Sequence, residues 1–397
     1  MRGFAGFAAL LMLLPSGSVC QTAPPHEPAN RAVFTSTRTV TATHKSPDGA
    51  EWVGTNGGVR RRDPETGAWQ TFTRENDLPS HEVRGFEQKD GATVAVFADG
   101  SRFDFGGAKQ KASTPLPPDA PEPANHNAQA IAFFRGAMLV STLQSGLVVR
   151  DDTGEWTQLL PPTLSTDAPR QMFVCGSSLY IRHGSGVVDR FDGMAWTKNV
   201  WANDLPRKQV SVFATAGGRI WAAQWGGVSV FDGAKWRHFL REPRLQGVPV
   251  TALLPTKNGD TLYIGTQGRG LMEMDTHTGT VRRVWNEAHG VTDDWITALI
   301  QTPDGGVIAG TFVGGAVRKT LDAARFAPVP DTDGENVTDL LPLADGGVLA
   351  ATRFGVRGGL ANSLVSGRTV EAQCLALSPR GEIWVGTRTG IYRVSAR

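Results

Sequence analysis

A segment of about 41 residues recurs along the chain, and this repeat is the feature that most constrains the fold. Clear copies are Glu51–Val59, Thr261–Leu271 and Gly381–Val394. Nine aligned positions run from Trp52 to Ile383, a span of 331 residues divided into eight intervals of about 41. A period of this length is typical of one four-stranded antiparallel blade, so the sequence predicts an all-β chain.

The order of signals within each copy indicates how the blade is built. A copy begins with an apolar strand such as Val250–Leu254, and a tight turn such as Asn258-Gly259 follows. Asn-Gly and Asp-Gly pairs join antiparallel strands because they tolerate positive φ. A strand ending in Gly-Thr, a glycine turn and two further strands complete the copy. We therefore predict a single β-propeller of four-stranded antiparallel blades, about nine in number. Eight blades are the alternative, because the copy around Val94 matches the repeat least well.

The two ends of the chain complement each other. The last copy stops at Arg397 after its third strand, whereas a spare strand-like segment, Ala32–Ser36, precedes the first copy. Pairing of the ends would complete the last blade and remove exposed strand edges, so we predict closure by the N-terminal strand. The proline-rich residues 113–124 are interpreted as a long loop, because the two copies before them are too few to close a propeller. The predicted organisation is a signal peptide at 1–20, a flexible segment at 21–31 and the propeller domain at 32–397.

The first twenty residues have the order of an export signal. Arg2 precedes the apolar run Phe4–Leu14, which is too short to span a bilayer as a helix. Ser18 and Cys20 are small residues at the −3 and −1 positions of a cleavage site before Gln21. We therefore predict a periplasmic or secreted protein. Lipid attachment at Cys20 is the weaker alternative, because the residues before it fit a lipobox poorly.

Composition excludes several classes of function. The chain carries 40 basic and 38 acidic residues without a clustered basic face, so no nucleic-acid partner is predicted. No second apolar run is long enough for a transmembrane span. Cys175 and Cys374 remain after cleavage and lie in copies far apart, so we predict two free, packed thiols. His and Cys spacing does not suit zinc and no calcium loop is present, so no metal or cofactor is predicted. A monomer is expected.

Several motifs carry a family resemblance. They are Trp52-Val-Gly-Thr55 with its glycine turn, Asn76-Asp-Leu-Pro-Ser80 followed by a Val-x-Gly-Phe strand, Asn203-Asp-Leu-Pro206 and His289-Gly-Val-Thr292. This pattern resembles the two-component regulator propeller repeats over nearly all of the mature chain. In that family the repeats often form periplasmic sensor regions of hybrid histidine kinases, many of them linked to carbohydrate sensing. The resemblance implies a propeller with a general binding role. Signalling is not implied, because no kinase or DNA-binding region is evident.

One face of such a propeller carries the second-to-third strand turns and the connections between blades, and loops on a rigid scaffold are where binding residues concentrate. Residues there vary among copies, while the surrounding glycine, threonine and valine stay constant. The candidate ligand-binding residues in the turns are His183, Gln224, Trp225, Gln267, Arg269, Phe312, Arg353 and Arg388. Those in the connections are Trp201, Asp293, Asp294 and Trp295. Aromatic rings beside amide and guanidinium donors suit a glycan, a peptide or an envelope protein.

Three tryptophans receive more functional weight than the rest, because Trp201, Trp225 and Trp295 fall outside the periodic packing positions. Two other functions stay open. A polysaccharide hydrolase or lyase would have only the pair Asp293-Asp294, but adjacent residues rarely face one substrate and aspartate is common in turns. We therefore predict no catalytic residue. A scaffold subunit of an envelope complex is the third possibility. The favoured reading is an exported module that binds its ligand on the turn-bearing face.

Overall fold

The computed structural model describes residues 31–34, 40–55, 57–72, 78–80, 82–89, 91–98, 100–106, 127–143, 146–206, 210–358, 371–388 and 390–395. The predicted signal peptide, the lipidation candidate Cys20 and the proline-rich residues 113–124 lie outside these ranges. The described chain forms nine antiparallel sheets, with two short 3-10 helices at Pro243–Leu245 and Glu287–His289. The predicted all-β propeller architecture is confirmed. No helix within the described ranges is long and apolar enough to cross a membrane.

Sheets are numbered 1 to 9 in the order in which the first strand of each repeat copy occurs in the chain, and we call this first strand the inner strand. Sheet 1 comprises β2 (Val40–Lys45), β3 (Glu51–Thr55), β4 (Gly58–Arg62) and β5 (Trp69–Phe72). Sheet 2 comprises β6 (Val83–Lys89), β7 (Ala92–Phe97) and β8 (Arg102–Asp104). Sheet 3 comprises β9 (Ala128–Phe134), β10 (Ala137–Thr142), β11 (Leu147–Arg150) and β12 (Trp156–Leu159). Sheet 4 comprises β13 (Pro169–Cys175), β14 (Ser178–His183), β15 (Val188–Phe191) and β16 (Trp196–Thr197).

The remaining sheets repeat the same order of strands. Sheet 5 comprises β17 (Val210–Ala216), β18 (Arg219–Gln224), β19 (Gly227–Phe231) and β20 (Trp236–Phe239). Sheet 6 comprises β21 (Val250–Pro255), β22 (Thr261–Thr266), β23 (Leu271–Asp275) and β24 (Val281–Trp285). Sheet 7 comprises β25 (Ile296–Gln301), β26 (Val307–Thr311), β27 (Ala316–Lys319) and β28 (Ala327–Pro328). Sheet 8 comprises β29 (Val337–Pro342), β30 (Val348–Thr352) and β31 (Gly355–Arg357). Sheet 9 comprises β32 (Ala372–Leu377), β33 (Glu382–Thr387), β34 (Ile391–Ser395) and β1 (Arg31–Phe34).

The inner strands of seven sheets contact one another in a closed circuit. From sheet 3 to sheet 9 each inner strand packs against the next, and β32 of sheet 9 then packs against β9 of sheet 3. At this junction the Gln129 Nε2 atom donates a 2.7 Å hydrogen bond to the Gln373 Oε1 atom, and Ala128 and Trp384 share one apolar cluster. The two inner strands next to β9 are therefore β13 and β32, so sheets 1 and 2 are not members of this circuit.

Sheets 1 and 2 pack against each other instead. Their shared core contains Trp52, Phe72 and Phe105, and the Trp52 and Phe105 rings lie 4.6 Å apart between centroids. The nine sheets agree with the nine copies of the repeat, but their arrangement differs from the predicted nine-membered ring. The physical reason is that the repeat fixes how each sheet forms, whereas membership of the circuit depends on which inner strands meet.

The N-terminal strand β1 pairs antiparallel with β34, with Ala32 opposite Arg393 and Phe34 opposite Ile391. Residues 35–36 of the predicted strand lie outside the described ranges. The closing role that we predict for this strand stays a prediction, because the circuit of inner strands is complete without it. The two cysteines within the described ranges are free thiols; Cys374 is buried and Cys175 is half-buried.

Glycine near the end of several second strands allows neighbouring blades to approach closely. A Cβ atom added to Gly265 would lie 2.8 Å from Ile296 Cγ2, and one added to Gly310 would lie 2.5 Å from Val337 Cγ1. Both contacts are with the first residue of the next inner strand. The residue at this position therefore sets the spacing between neighbouring blades at the end of the central axis where the blade connections lie.

A β-bulge at the start of each inner strand turns one side chain out of the regular register, as in the step from Val250 to Ala252. In the closed circuit the bulged residues form what we call the bulge ring: Gln129, Arg170, Ser211, Thr251, Thr297, Thr338 and Gln373. Several of these residues bond to the next blade. Thr297 Oγ1 donates to Val337 O, and Thr338 Oγ1 donates to Ala372 O at 2.8 Å. The bulge ring thus joins blades at the end of the axis where the connections enter.

Candidate functional site

The meander order of strands places the second-to-third strand turns and the blade connections at one end of the seven-sheet circuit, which we call the turn face. The structure divides the twelve predicted residues into three groups by exposure. Trp225, Gln267, Arg269, Phe312, Arg353 and Arg388 are exposed. Asp293, Asp294 and Trp295 are half-buried, and His183, Trp201 and Gln224 are buried. The turn face therefore retains nine of the predicted residues as candidate contacts.

The most distinctive feature of the turn face is an aromatic pair. The rings of Trp295, in the connection to sheet 7, and Phe312, in the turn of sheet 7, stack with centroids 4.0 Å apart and planes 14° apart. Phe312 is 38% exposed and the adjacent Val313 is 58% exposed. We call Trp295, Phe312 and Val313 the aromatic platform. It offers an open apolar surface beside polar turn residues, and such a surface suits the apolar face of a ligand.

Asp293 holds this platform in place through the backbone. Its Oδ1 atom accepts a hydrogen bond from the Trp295 N–H at 3.0 Å, and its Oδ2 atom accepts one from the Val313 N–H at 2.9 Å. The Phe312 N–H also donates to the Trp295 carbonyl at 3.0 Å. The connection and the turn are thus tied together, so the stacked rings are preorganised before any ligand arrives.

Asp294 has a different environment from its neighbour. Its carbonyl accepts hydrogen bonds from the N–H groups of Gly268 and Gly270, and its Oδ1 atom is buried without a hydrogen-bond partner. Burial raises the pKa of the Asp294 carboxyl, and the negative charges of Glu287 and Asp293 act in the same direction. Because Asp293 is committed to two backbone N–H groups, the pair does not present two free carboxylates to one substrate.

Charged groups stand on the turns on either side of the aromatic platform. Arg353 in sheet 8 and Arg388 in sheet 9 share the carboxylate of Glu371, with Nε–O distances of 3.8 Å and 2.6 Å. In sheet 6, Arg269 Nη1 donates to the Arg244 carbonyl at 3.0 Å. These exposed guanidinium groups keep unused donors, which can fix the orientation of a polar ligand.

Trp201 is a packing residue, which corrects the functional weight predicted for it. It is 7% exposed, its ring stacks on Tyr180 at 5.1 Å, and the edge of Trp236 meets it at 5.1 Å. The connection between sheets 4 and 5 folds this ring into the core between them, together with Phe213. A position outside the periodic register is therefore not in itself a sign of exposure.

His183 and Gln224 are also corrected, because both side chains are internal. The same repeat position holds threonine in Thr55, Thr142, Thr266, Thr311, Thr352 and Thr387, each donating from Oγ1 to a glycine carbonyl of its turn. In sheet 4, His183 instead contacts Thr166 Oγ1 and Asp189 Oδ2, both at 2.9 Å. In sheet 5, Gln224 Nε2 donates to Ser229 Oγ at 2.6 Å. Variation at this position exchanges one internal polar network for another.

Asp189 is the centre of the network in sheet 4. Burial acts to raise the pKa of its carboxyl, but hydrogen bonds from His183, from the Ser165 side chain and backbone, and from the Asn199 N–H outweigh burial. The pKa therefore lies below its usual value, so the carboxylate is ionised near neutral pH. Neither His183 nor Asp189 exposes any side-chain surface. The network is consistent with a structural role below the turn face.

A cavity of about 630 Å³ opens between sheets 6 and 7 at the opposite end of the circuit. One cation of its lining, Lys319, is already engaged, because Lys319 Nζ donates to the carbonyls of Thr320 and Leu321, both at 3.1 Å, and lies 5.1 Å from the Trp285 ring centroid. Burial lowers the pKa of Lys319. Trp285 itself is 1% exposed and donates to Glu273 at 3.3 Å. These internal pairings make the cavity a weaker candidate than the turn face.

Sequence reasoning missed the bulge ring and Arg182, which lies close to it. The signal was present in the repeat: Arg182 occupies the position of Gly265 and Gly310 in other copies. Variation in the turns is the basis of the predicted site, whereas these residues lie in strands. Their polar groups extend the candidate surface from the turns toward the central axis.

Comparisons with known proteins identify the fold. No family model and no curated protein matches the chain. The extracellular domains of the hybrid two-component systems BT3049 and BT4673 from B. thetaiotaomicron match with TM-scores of 0.60 and 0.57 at 16% and 13% identity. These matches cover 91% and 90% of this chain and 51% and 52% of those domains, so the chain spans about half their length. A streptogramin B lyase matches with a TM-score of 0.55 at 12% identity, covering 69% of this chain and 94% of the lyase. At these identities the similarity is one of fold.

Proposed function

We propose that this protein is an exported recognition module that binds a glycan on the turn face of its propeller. The aromatic platform is the observation that carries this proposal. Trp295 and Phe312 are stacked and held by Asp293, yet Phe312 and Val313 remain exposed to solvent. A fixed, exposed aromatic surface has little entropy to lose on binding and matches the C–H faces of sugar rings.

The surroundings of the platform support a polar ligand. Arg269, Arg353 and Arg388 lie on turns of the same face, and a second exposed ring, Phe354, follows Arg353. Guanidinium donors orient hydroxyl or acidic groups while the rings cover apolar surface. Export is supported by the sequence of residues 1–20. The names of the two fold neighbours, which describe them as extracellular domains, also support it.

Substitution Phe312→Ala is expected to weaken glycan binding at least tenfold while leaving the fold intact. The ring is exposed, so its loss removes little core packing, but it removes half of the stacked surface on which a sugar would lie. The measurement is a glycan array followed by calorimetric titration of the best ligand, with thermal unfolding as the test of folding.

The matched control for this experiment is Leu377→Ala, since Leu377 is 45% exposed but lies at the opposite end of sheet 9. It should bind as the wild type does. Equal binding by Phe312→Ala and the wild type would contradict the proposed surface. Binding to a peptide panel with no response on the glycan array would replace the glycan with a peptide as the ligand.

A further inference from the structure

An arginine stands where the repeat places its smallest residue. In sheets 6, 7 and 9 the residue before the terminal threonine of the second strand is Gly265, Gly310 or Gly386. An added Cβ at Gly265 or Gly310 would press on the next inner strand, so a small residue is favoured there. In sheet 4 this position is Arg182, which lies opposite Gln171 of the inner strand. The largest departure from the repeat in this strand position is therefore also a change from no charge to a positive charge.

The guanidinium of Arg182 is incompletely satisfied. Its Nη1 atom donates to the His183 carbonyl at 3.4 Å, whereas its buried Nε atom has no hydrogen-bond partner. Burial lowers the pKa of Arg182 to about 10, and the positive charge of nearby Arg170 acts in the same direction. Both effects oppose the charged form, so the folded chain holds this cation at a cost.

Arg170 is the cationic member of the bulge ring. Its Nη1 atom donates to Gln129 Oε1, which leaves further guanidinium donors for another acceptor. Three other members, Thr251, Thr297 and Thr338, are threonines. Ser211 and Thr338 are exposed, so solvent reaches the ring. Arg170 thus lies at the end of the central axis that solvent reaches.

No described carboxylate compensates these two charges. Among the ion pairs of the described residues, none involves Arg170 or Arg182. Asp189, the carboxylate of the same sheet, is occupied by His183, Ser165 and Asn199. Arg170 is the bulged residue between Pro169 and Gln171, and Gln171 lies opposite Arg182. Two arginines side by side on adjacent strands, with no ion pair among the described residues, form an arrangement that an anion from outside the chain would stabilise.

We propose that Arg182 and Arg170 bind an oxyanion, either a carboxylate or a phosphate group, at the turn-face end of the central axis. Planar guanidinium groups with free donors match the paired oxygens of both anions. A bound anion would also relieve the repulsion between the two arginines. That the anion belongs to a larger ligand, such as an acidic sugar, rests on the proposed function; the anion site itself does not.

The test uses the repeat's own residues as substitutions. Arg182→Gly introduces the glycine found in sheets 6, 7 and 9, and Arg170→Thr introduces the threonine of three other bulge positions, so both variants should fold. Calorimetric titration and thermal shift with inorganic phosphate and with acetate are the measurements. We expect at least one anion to bind the wild type and to bind each variant at least tenfold more weakly, while the Tm without anion stays equal or rises.

Arg102→Thr serves as the control, because it removes an exposed arginine of sheet 2, outside the seven-sheet circuit, that is paired with Glu87. It should bind the anion as the wild type does. A response to phosphate alone assigns a phosphate group, and a response to acetate assigns a carboxylate. The proposal is overturned if neither anion binds the wild type, or if Arg182→Gly binds as tightly as the wild type. Anion binding without any glycan binding would leave this site standing and remove the proposed function.

Discussion

The wild type is expected to lose about 3 kcal/mol of unfolding free energy between pH 3.5 and pH 7.5 through the ionisation of Asp339, and the substitution Asp339→Asn is expected to abolish this loss. Asp339 lies in the inner strand of sheet 8, where its oxygens accept hydrogen bonds from the N–H groups of Leu375 and Leu340 at 2.8 Å and 2.9 Å. Burial raises the pKa of this carboxyl from 3.8 to about 6, although the two backbone hydrogen bonds oppose the shift. The carboxylate is therefore a costly charge in the folded protein.

The direction follows from the raised pKa. Below pH 3.8 the carboxyl is neutral in both the folded and the unfolded chain, so its contribution to stability is fully present. Between pH 3.8 and about 6 the unfolded chain loses the proton while the folded chain keeps it, and stability falls by about 1.36 kcal/mol per pH unit. Above that interval both forms are ionised and the loss is constant. Asparagine keeps an acceptor for the Leu375 N–H but does not ionise, so this loss should vanish in the variant.

Denaturant unfolding at a series of pH values measures the effect as the difference between variant and wild type. The variant should become more stable relative to the wild type as pH rises from 3.5 to 7.5. Sheet 4 shows that a neutral group fits here, because Gln171 holds the equivalent position and its Oε1 accepts the Phe213 N–H at 2.9 Å. Asp345→Asn, on an exposed turn of sheet 8, is the control for removing a carboxylate outside the inner strands. A parallel pH profile for Asp339→Asn and the wild type would contradict the prediction.

The pattern of the sequence predicted the local structure of each sheet well, because the determinants of a hairpin are local. Apolar strands such as Val250–Leu254 and turns such as Asn258-Gly259 depend on residues close in the chain. The closed circuit could not be predicted in the same way. That Ala128 meets Trp384 across more than half the chain is a matter of packing between sheets, and every copy of the repeat looks alike in this respect.

The candidate site shows the same division. Trp295 and Phe312 were predicted as separate contacts, and the structure adds that they stack and that Asp293 fixes both segments. The functional weight predicted for Trp201 is wrong, because a position outside the repeat does not determine how the connection between the sheets folds. Variation between copies marks a change of environment, and for His183 that environment is buried. Only the three-dimensional partners of a residue separate these cases.

His183→Ala is expected to lower the free energy of unfolding by about 3–5 kcal/mol. The imidazole is fully buried between Thr166 and Asp189, and its removal leaves the buried Asp189 carboxylate without one of its hydrogen-bond donors. The bonds that remain, from Ser165 and Asn199, keep the loss within this range. If His183 were a surface contact for a ligand, as the turn position suggests, the variant would instead lose binding and keep its stability.

Two further variants separate these outcomes. His183→Gln should recover much of the stability, because Gln224 fills the equivalent position of sheet 5 and donates from Nε2 to the facing strand. Trp225→Ala, which removes a side chain that is 57% exposed in the turn beside Gln224, should leave the unfolding midpoint unchanged. Urea unfolding followed by tryptophan fluorescence is the measurement. An unchanged midpoint for His183→Ala would contradict the structural role of the network and return this residue to the turn-face candidates. A large loss in the alanine variant with recovery in the glutamine variant would show that the repeat tolerates a change of polar network here only when Asp189 keeps a donor.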